Sequence, residues 1–237
     1  MAISAYPIAA AAGCFKRESG VNPGIWESTI VPPDGFYHIY QYDHIGGYGF
    51  GQFTNVRDPY TGIVSWRCRD YYEWCVANGY SPENGNAELD YIINVEKVWM
   101  TANPSRLGFQ SQAEFWNTTS TDLDNLVYDW LSQWEGVPGD NLAERQEAAR
   151  RFYTYIYQHK DDDPTQYSWI SGNFYTTDAQ MLNNVMCMYF YLEGFTPDPG
   201  PGPGPGPGPG PGPGPTPGSG GKSKFWMYLR NHKIRKL

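Results

Sequence analysis

Glu18 stands in the segment Arg17-Glu18-Ser19-Gly20-Val21-Asn22-Pro23-Gly24. The residues before it, Ile8–Arg17, read as a helix that ends at Gly20, which places Glu18 in the last turn. The helix dipole disfavours a negative charge there. Nearby aromatic side chains, Trp26 first among them, would exclude water. Both effects favour the protonated carboxyl that a general acid needs near neutral pH. By residue type alone, a surface glutamate at a helix end is the plainer reading.

A second segment reads Gly46-Gly47-Tyr48-Gly49-Phe50-Gly51-Gln52-Phe53-Thr54. Glycines this dense let the backbone approach a ligand closely. Tyr48 and Phe53 offer stacking faces, and Gln52 and Thr54 offer hydrogen-bonding groups, a combination suited to a polysaccharide chain. A phosphate loop is excluded, because no Lys-Ser/Thr follows the glycines. A Gly-rich hairpin without a ligand is the competing reading.

Taken together, Glu-Ser-Gly-x-Asn-Pro and, about thirty residues later, Gly-Tyr-Gly-x-Gly-Gln-Phe-Thr resemble the phage tail lysozyme family, within the wider group of goose-type lysozymes and lytic transglycosylases. The likeness continues through Asn22-Pro23-Gly24-Ile25-Trp26, Leu89-Asp90-Tyr91-Ile92, Trp134-Glu135-Gly136-Val137-Pro138-Gly139, Arg145 and Ala148-Ala149, and spans most of residues 8–158. It implies cleavage of the β-1,4 bond between N-acetylmuramic acid and N-acetylglucosamine in peptidoglycan, without a cofactor. Glu18 would protonate the glycosidic oxygen. Ser19, Asn22, Trp26, Tyr48, Gln52 and Thr54 would bind the sugar chain. A hydrolase also needs water, usually held by a second carboxylate. Glu27, Asp34 and Asp43 lie between the two motifs, and Asp43 ranks first because it leads into the glycines. A lytic transglycosylase needs no such acid, since the sugar's own 6-hydroxyl attacks.

Family members usually carry a helical segment before the catalytic glutamate, whereas only 17 residues precede Glu18. A similar segment comes later, from Trp169-Ile170-Ser171-Gly172-Asn173-Phe174-Tyr175 to Leu192-Glu193-Gly194-Phe195-Thr196. A circularly permuted domain is therefore expected, with 165–196 standing for the missing start and Met181–Leu192 packed against Ala9–Arg17. A truncated start of a second domain copy is the alternative.

The elements that must position these residues are mainly helical. Leu123, Leu126, Val127, Trp130, Leu131 and Trp134 share one helical face; Ala149, Phe152, Tyr153 and Ile156 share another; Met181, Val185, Met188, Tyr189 and Leu192 share a third. Helices are also expected over Thr61–Asn78, closed by Gly79, and over Ala87–Met100. Only Phe36–Gln41 looks strand-like. The expected fold is mainly α: a lysozyme-like single domain, 1–196, with a small β-hairpin. A Pro/Gly-rich linker, 197–221, and a short basic tail, 222–237, follow it. Alternate prolines keep the linker extended, to roughly 60 Å at about 3.1 Å per residue.

The chain has 237 residues and a net charge of −8. All 25 acidic residues lie at or before Asp198 with 11 of the 17 basic ones, so the body is strongly negative; six basic residues follow it. An acidic body argues against nucleic acid as a partner. The tail mixes six basic residues with Phe225, Trp226, Tyr228, Leu229 and Ile234, which suits an anionic wall polymer or membrane surface, or other phage tail proteins. Cys14, Cys68, Cys75 and Cys187 are expected reduced and buried. Neither these nor His38, His44, His159 and His232 show metal-ligand spacing or a catalytic triad.

Among the remaining acids, Glu96 falls on the apolar stripe of its helix and is expected to be buried against an arginine. Glu135 is expected to be anchored by Arg145. Asp161-Asp162-Asp163 reads as a solvated loop. Ala9–Ala12 reads as a closely packed small-residue helix, because nothing basic precedes it as a signal peptide would require. The expected place of action is the virion tail, or the host cytoplasm before release to the wall. The competing functional class is a non-catalytic wall-binding or structural tail protein.

Overall fold

The computed structural model describes residues 3–26, 36, 44–57 and 60–195. Glu27, Asp34, Asp43, all of the expected strand Phe36–Gln41 except Phe36, the linker and the basic tail lie outside the described residues. The described part is mainly helical with one small antiparallel sheet.

Helix α1, Ala5–Ser19, is the central element. Every residue from Ile8 to Phe15 is buried, so the helix is apolar all round rather than along one stripe. Ser4 caps its start by accepting the Tyr6 N–H at 3.4 Å. Gly20 ends it at φ 65°, a left-handed conformation that glycine adopts without strain, and donates its N–H to the Lys16 carbonyl at 3.0 Å. The alanines serve close packing: a Cβ at Gly13 would stand 2.7 Å from the Arg145 carbonyl oxygen and 2.8 Å from the Ala149 Cβ. The neighbour on that side is α6, Leu142–His159, whose Ala149, Phe152 and Ile156 are buried as their spacing predicts, while Tyr153 of the same stripe is half-buried and Ala148 is buried beside them.

The sheet has three strands in the order β1, β2, β3: His44–Tyr48, Phe53–Arg57 and Val64–Trp66. The expected single hairpin is thus extended by a third strand. Val64–Trp66 belongs to it, and α2 is confined to Arg67–Asn78, closed by Gly79 as expected. A helix over the whole of Thr61–Asn78 is corrected accordingly. The Val64-Ser65-Trp66 alternation pairs with Asn55–Arg57, and ladder bonds outweigh continuation of the helix.

The expected helix over Ala87–Met100 is shorter. It runs as α3, Gly85–Asp90, passes into a π-helical turn over Tyr91–Glu96, and stops at Lys97 with φ 47°. Next come α4, Gln112–Trp116, and α5, Leu123–Asp129. A second π-helical turn, Trp130–Trp134, continues α5. It stacks Trp130 on Trp134 with ring centroids 5.0 Å apart and sets both rings nearly perpendicular to Phe15 of α1. All four cysteines are free and buried.

The last helix, α7, Asp178–Leu192, opens on a reciprocal cap between Thr177 and Gln180. It packs against α1, α3 and α6. Asn184 donates to the Val21 carbonyl at 2.9 Å and to Ile170 at 2.8 Å, so α7 also grips the residues just past the end of α1. The expected contact between Met181–Leu192 and Ala9–Arg17 is present.

Candidate active site

The two motifs meet in space. Gly49 donates its N–H to the Ile25 carbonyl at 2.9 Å, and Trp26 forms an isolated antiparallel bridge with Tyr48. The Ser19 hydroxyl, buried, bonds the Phe15 carbonyl at 3.0 Å and reaches the Phe50 carbonyl at 3.5 Å. Phe15 and Phe50 lie with ring centroids 5.1 Å apart. The end of α1 and the glycine-rich turn between β1 and β2 therefore form one unit.

Glu18 stands in the last turn of α1, as its spacing predicts, with its side chain 28 % exposed. Its immediate partner is not an aromatic ring. Arg145 Nη2 donates to Glu18 Oε1 at 2.6 Å. Trp26 packs in a cluster with Tyr48 and Phe36 at centroid separations of 4.6 and 5.0 Å. To the expected surroundings the structure adds an ion pair: α6 crosses α1 closely enough to bring an arginine against its end.

The Arg145 side chain is fully buried, and each of its five N–H groups has a partner. Nε donates to the Asp140 carbonyl at 3.1 Å. Nη1 donates to the Cys14 carbonyl at 2.9 Å and to Glu135 at 3.2 Å. Nη2 donates to Glu18 and, at 3.1 Å, to Asp140 Oδ2. Burial works against the arginine's charge, but Glu135 and the other anions around it hold its pKa above the usual value. Glu135 is anchored by Arg145 as expected, and its side chain is completely buried. Asp140 is 32 % exposed and was not legible as a site residue. Its only sequence signal is a position five before Arg145, in the turn Val137-Pro138-Gly139 that leads into α6.

The expected sugar-binding side chains are mostly inside. Tyr48 is 1 % exposed and Phe53 fully buried, so the two proposed stacking faces belong to the core. Burial raises the Tyr48 pKa well above its ordinary value. Gln52 adopts φ 46° and its Nε2 donates to the Gly49 carbonyl at 2.6 Å, holding the turn. Asn22 is fully buried. Its Nδ2 donates to the carbonyls of Gly172 and Phe174 at 2.9 and 2.7 Å, and its Oδ1 accepts from Gly24 at 2.9 Å and Gly172 at 3.3 Å. Among the six candidates Thr54 alone is not buried. The close approaches that glycines permit are likewise made by the protein itself: a Cβ at Gly24 would stand 2.4 Å from the Gly172 nitrogen.

Glu88 is a further residue that the sequence reading did not single out. It lies fully buried on α3 beneath the turn, and Oε1 accepts the Gly51 N–H at 2.8 Å. Gly49 approaches so closely that a Cβ there would stand 2.4 Å from the carboxylate. Burial raises the Glu88 pKa well above the ordinary value, more than the bonds from the Gly51 and Phe50 backbone lower it. A signal was available, since Glu88 lies three and four residues before Tyr91 and Ile92, on the stripe that faces the core. Glu96, further along the same chain segment, is held by Arg67 in a two-pronged ion pair, as expected. Among the described residues no group of three or more His, Cys, Asp or Glu side chains is arranged to hold a metal.

A model of the phage tail lysozyme family matches residues 2–156. The chain belongs to the phage tail lysozyme family. Both motifs, Arg145 and most of α6 fall inside the matched span, whereas α7 and the segment that Asn22 grips fall outside it. Among curated proteins no sequence matches. Membership places the chain among lysozyme-like proteins that degrade peptidoglycan and fits association with a virion tail. No described helix is long and apolar enough to cross a membrane.

Proposed function

We propose that this phage tail lysozyme cleaves the β-1,4 bond between N-acetylmuramic acid and N-acetylglucosamine, with Glu18 as the general acid. The observation that carries the reading is a partly exposed carboxylate in the Glu-Ser-Gly motif, joined to the glycine-rich turn. Glu18 gives its proton to the glycosidic oxygen as the C1–O bond breaks. Then C1 is attacked either by water, whose proton passes to a second carboxylate, or by the sugar's 6-hydroxyl, whose proton returns to the Glu18 carboxylate as the anhydro ring closes. Asp43 is the proposed second acid on the first route.

Ser19 supports the site by joining the end of α1 to the glycine-rich turn, Gln52 by holding that turn, and Asn22 by tying the turn after α1 to residues 172–174. Thr54 is proposed to meet the sugar chain, with Trp26 and Tyr48 shaping the wall behind it. The segment 165–196 is proposed to be the permuted counterpart of the family's first helical segment, and its grip on Asn22 and Val21 supports that reading. The tail 222–237 is proposed to tether an acidic enzyme to anionic wall polymer or membrane. Delivery is proposed to be from the virion tail, or from the host cytoplasm at lysis.

The test is the mass of the sugar products released from purified peptidoglycan by wild type and Glu18→Gln. Disaccharides with reducing ends, absent from the variant, are expected of a hydrolase. Products one water lighter identify a transglycosylase. If neither protein releases products while both sediment with cell walls, the chain is a binding or structural protein and the reading fails.

A further inference from the structure

Asp140 and Glu18 are bound by the same nitrogen. Arg145 Nη2 lies 2.6 Å from Glu18 Oε1 and 3.1 Å from Asp140 Oδ2. One hydrogen-bond length on either side of a single atom keeps the two carboxylate oxygens within about 6 Å of each other. Glu135 binds the other terminal nitrogen of Arg145 and is completely buried, whereas Glu18 and Asp140 are about equally exposed. The cluster thus sets three carboxylates against one guanidinium, two of them facing outward.

We propose that Asp140 is a positioning residue for Glu18: it takes the second hydrogen of Arg145 Nη2 and so fixes the guanidinium edge that holds the Glu18 carboxyl in place. The proposal rests on Glu18 being the acid. A fully buried arginine must remain paired. Glu135 binds Nη1, so without Asp140 the Nη2 edge would have Glu18 as its only side-chain partner; Asp140 gives that edge a second anchor and keeps the N–H that meets Glu18 in one direction.

Asp140 is held for this task. Its N–H donates to the Val137 carbonyl at 3.1 Å, and Oδ1 accepts from Asn141 Nδ2 at 2.9 Å. The other charged groups around Glu18 are engaged elsewhere. On α1, Lys16 and Arg17 lie 3.8 and 4.0 Å from Glu144 of α6. On α7, Asp178 pairs with Arg151 of α6. Burial keeps the Cys14 thiol of α1 protonated well above its usual range, and Tyr48 of the glycine-rich turn is held neutral by burial in the same way.

The experiment is kcat and KM for peptidoglycan cleavage by wild type, Asp140→Ala, Asp140→Ser, Asp140→Glu and Glu18→Gln, with thermal melting of each. Asp140→Ala and Asp140→Ser both remove the anchor, and the second stands in if the first fails to fold. In either, kcat should fall about tenfold with KM and melting temperature close to wild type, and Asp140→Glu should recover most of the loss. A kcat at the wild-type level, or a fall that follows lost stability and is not recovered by Asp140→Glu, overturns the proposal. Glu18→Gln should be inactive; full activity there would instead overturn the assignment of the acid.

Discussion

Glu18 and Arg145, 127 residues apart in the chain, are joined by a 2.6 Å bond between Oε1 and Nη2. The bond ties the last turn of α1 to the first turn of α6 at the point where the two helices cross. The charge that orients the candidate acid is therefore also a structural charge, shared with the buried Glu135.

Removing that charge should cost stability before it costs anything else. Arg145→Met leaves Glu135 buried without its cation, and the loss is expected to be about 3–5 kcal/mol. Urea unfolding followed by tryptophan fluorescence reads it as a lower midpoint. A variant as stable as wild type would show that the cluster is not what joins α1 to α6.

Glu88 gives the fold a dependence on pH of known sign. Burial raises its folded-state pKa above the ordinary 4.5, so the folded protein binds this proton more tightly than the unfolded chain does. The stability it contributes is complete below about pH 4.5 and is lost as pH rises through the folded-state value. Glu88→Gln keeps an oxygen for the Gly51 N–H and removes the titration. Its urea midpoint should vary less between pH 5 and pH 8 than that of wild type, and at pH 8 it should be the more stable protein. Parallel curves for the two proteins would assign the pH dependence elsewhere.

The family match ends at residue 156, but the packing does not. Asn22 is saturated by Gly172, Phe174 and Gly24, and Asn184 holds Val21. A chain ending at residue 160 would uncover the side of α1 that faces α7 and leave the Asn22 amide and the Val21 carbonyl without these partners. It should lose cooperative unfolding and be cut rapidly by protease. A truncated chain that melts in one sharp step near the wild-type temperature would make 165–195 an appendage rather than part of the domain.

What could be read along the chain was what short-range physics governs. Gly20 ends α1 because a left-handed residue closes a helix, and that alone put Glu18 in the last turn. Apolar spacing placed Leu126, Phe152 and Val185 inward. The alanines before Glu18 announced close packing, and Glu96 and Glu135, set among apolar or anchoring residues, announced their arginines. The resemblance carried by the two motifs reached the family.

What only the tertiary structure decided was which groups meet through space. Glycine permits close approach without saying to what. At Gly49 the visitor is Glu88 and at Gly24 it is Gly172, both from this chain. Tyr48 and Phe53 have faces fit for a sugar or for a core, and the sheet packed on α2 turned them inward. Arg145 had a visible partner in Glu135 nearby in sequence, and Asp140 stands closer still; Glu18 joined them only where α6 crosses α1. Charges pair by distance in the fold, and that distance is set by helix packing, which no local spacing records.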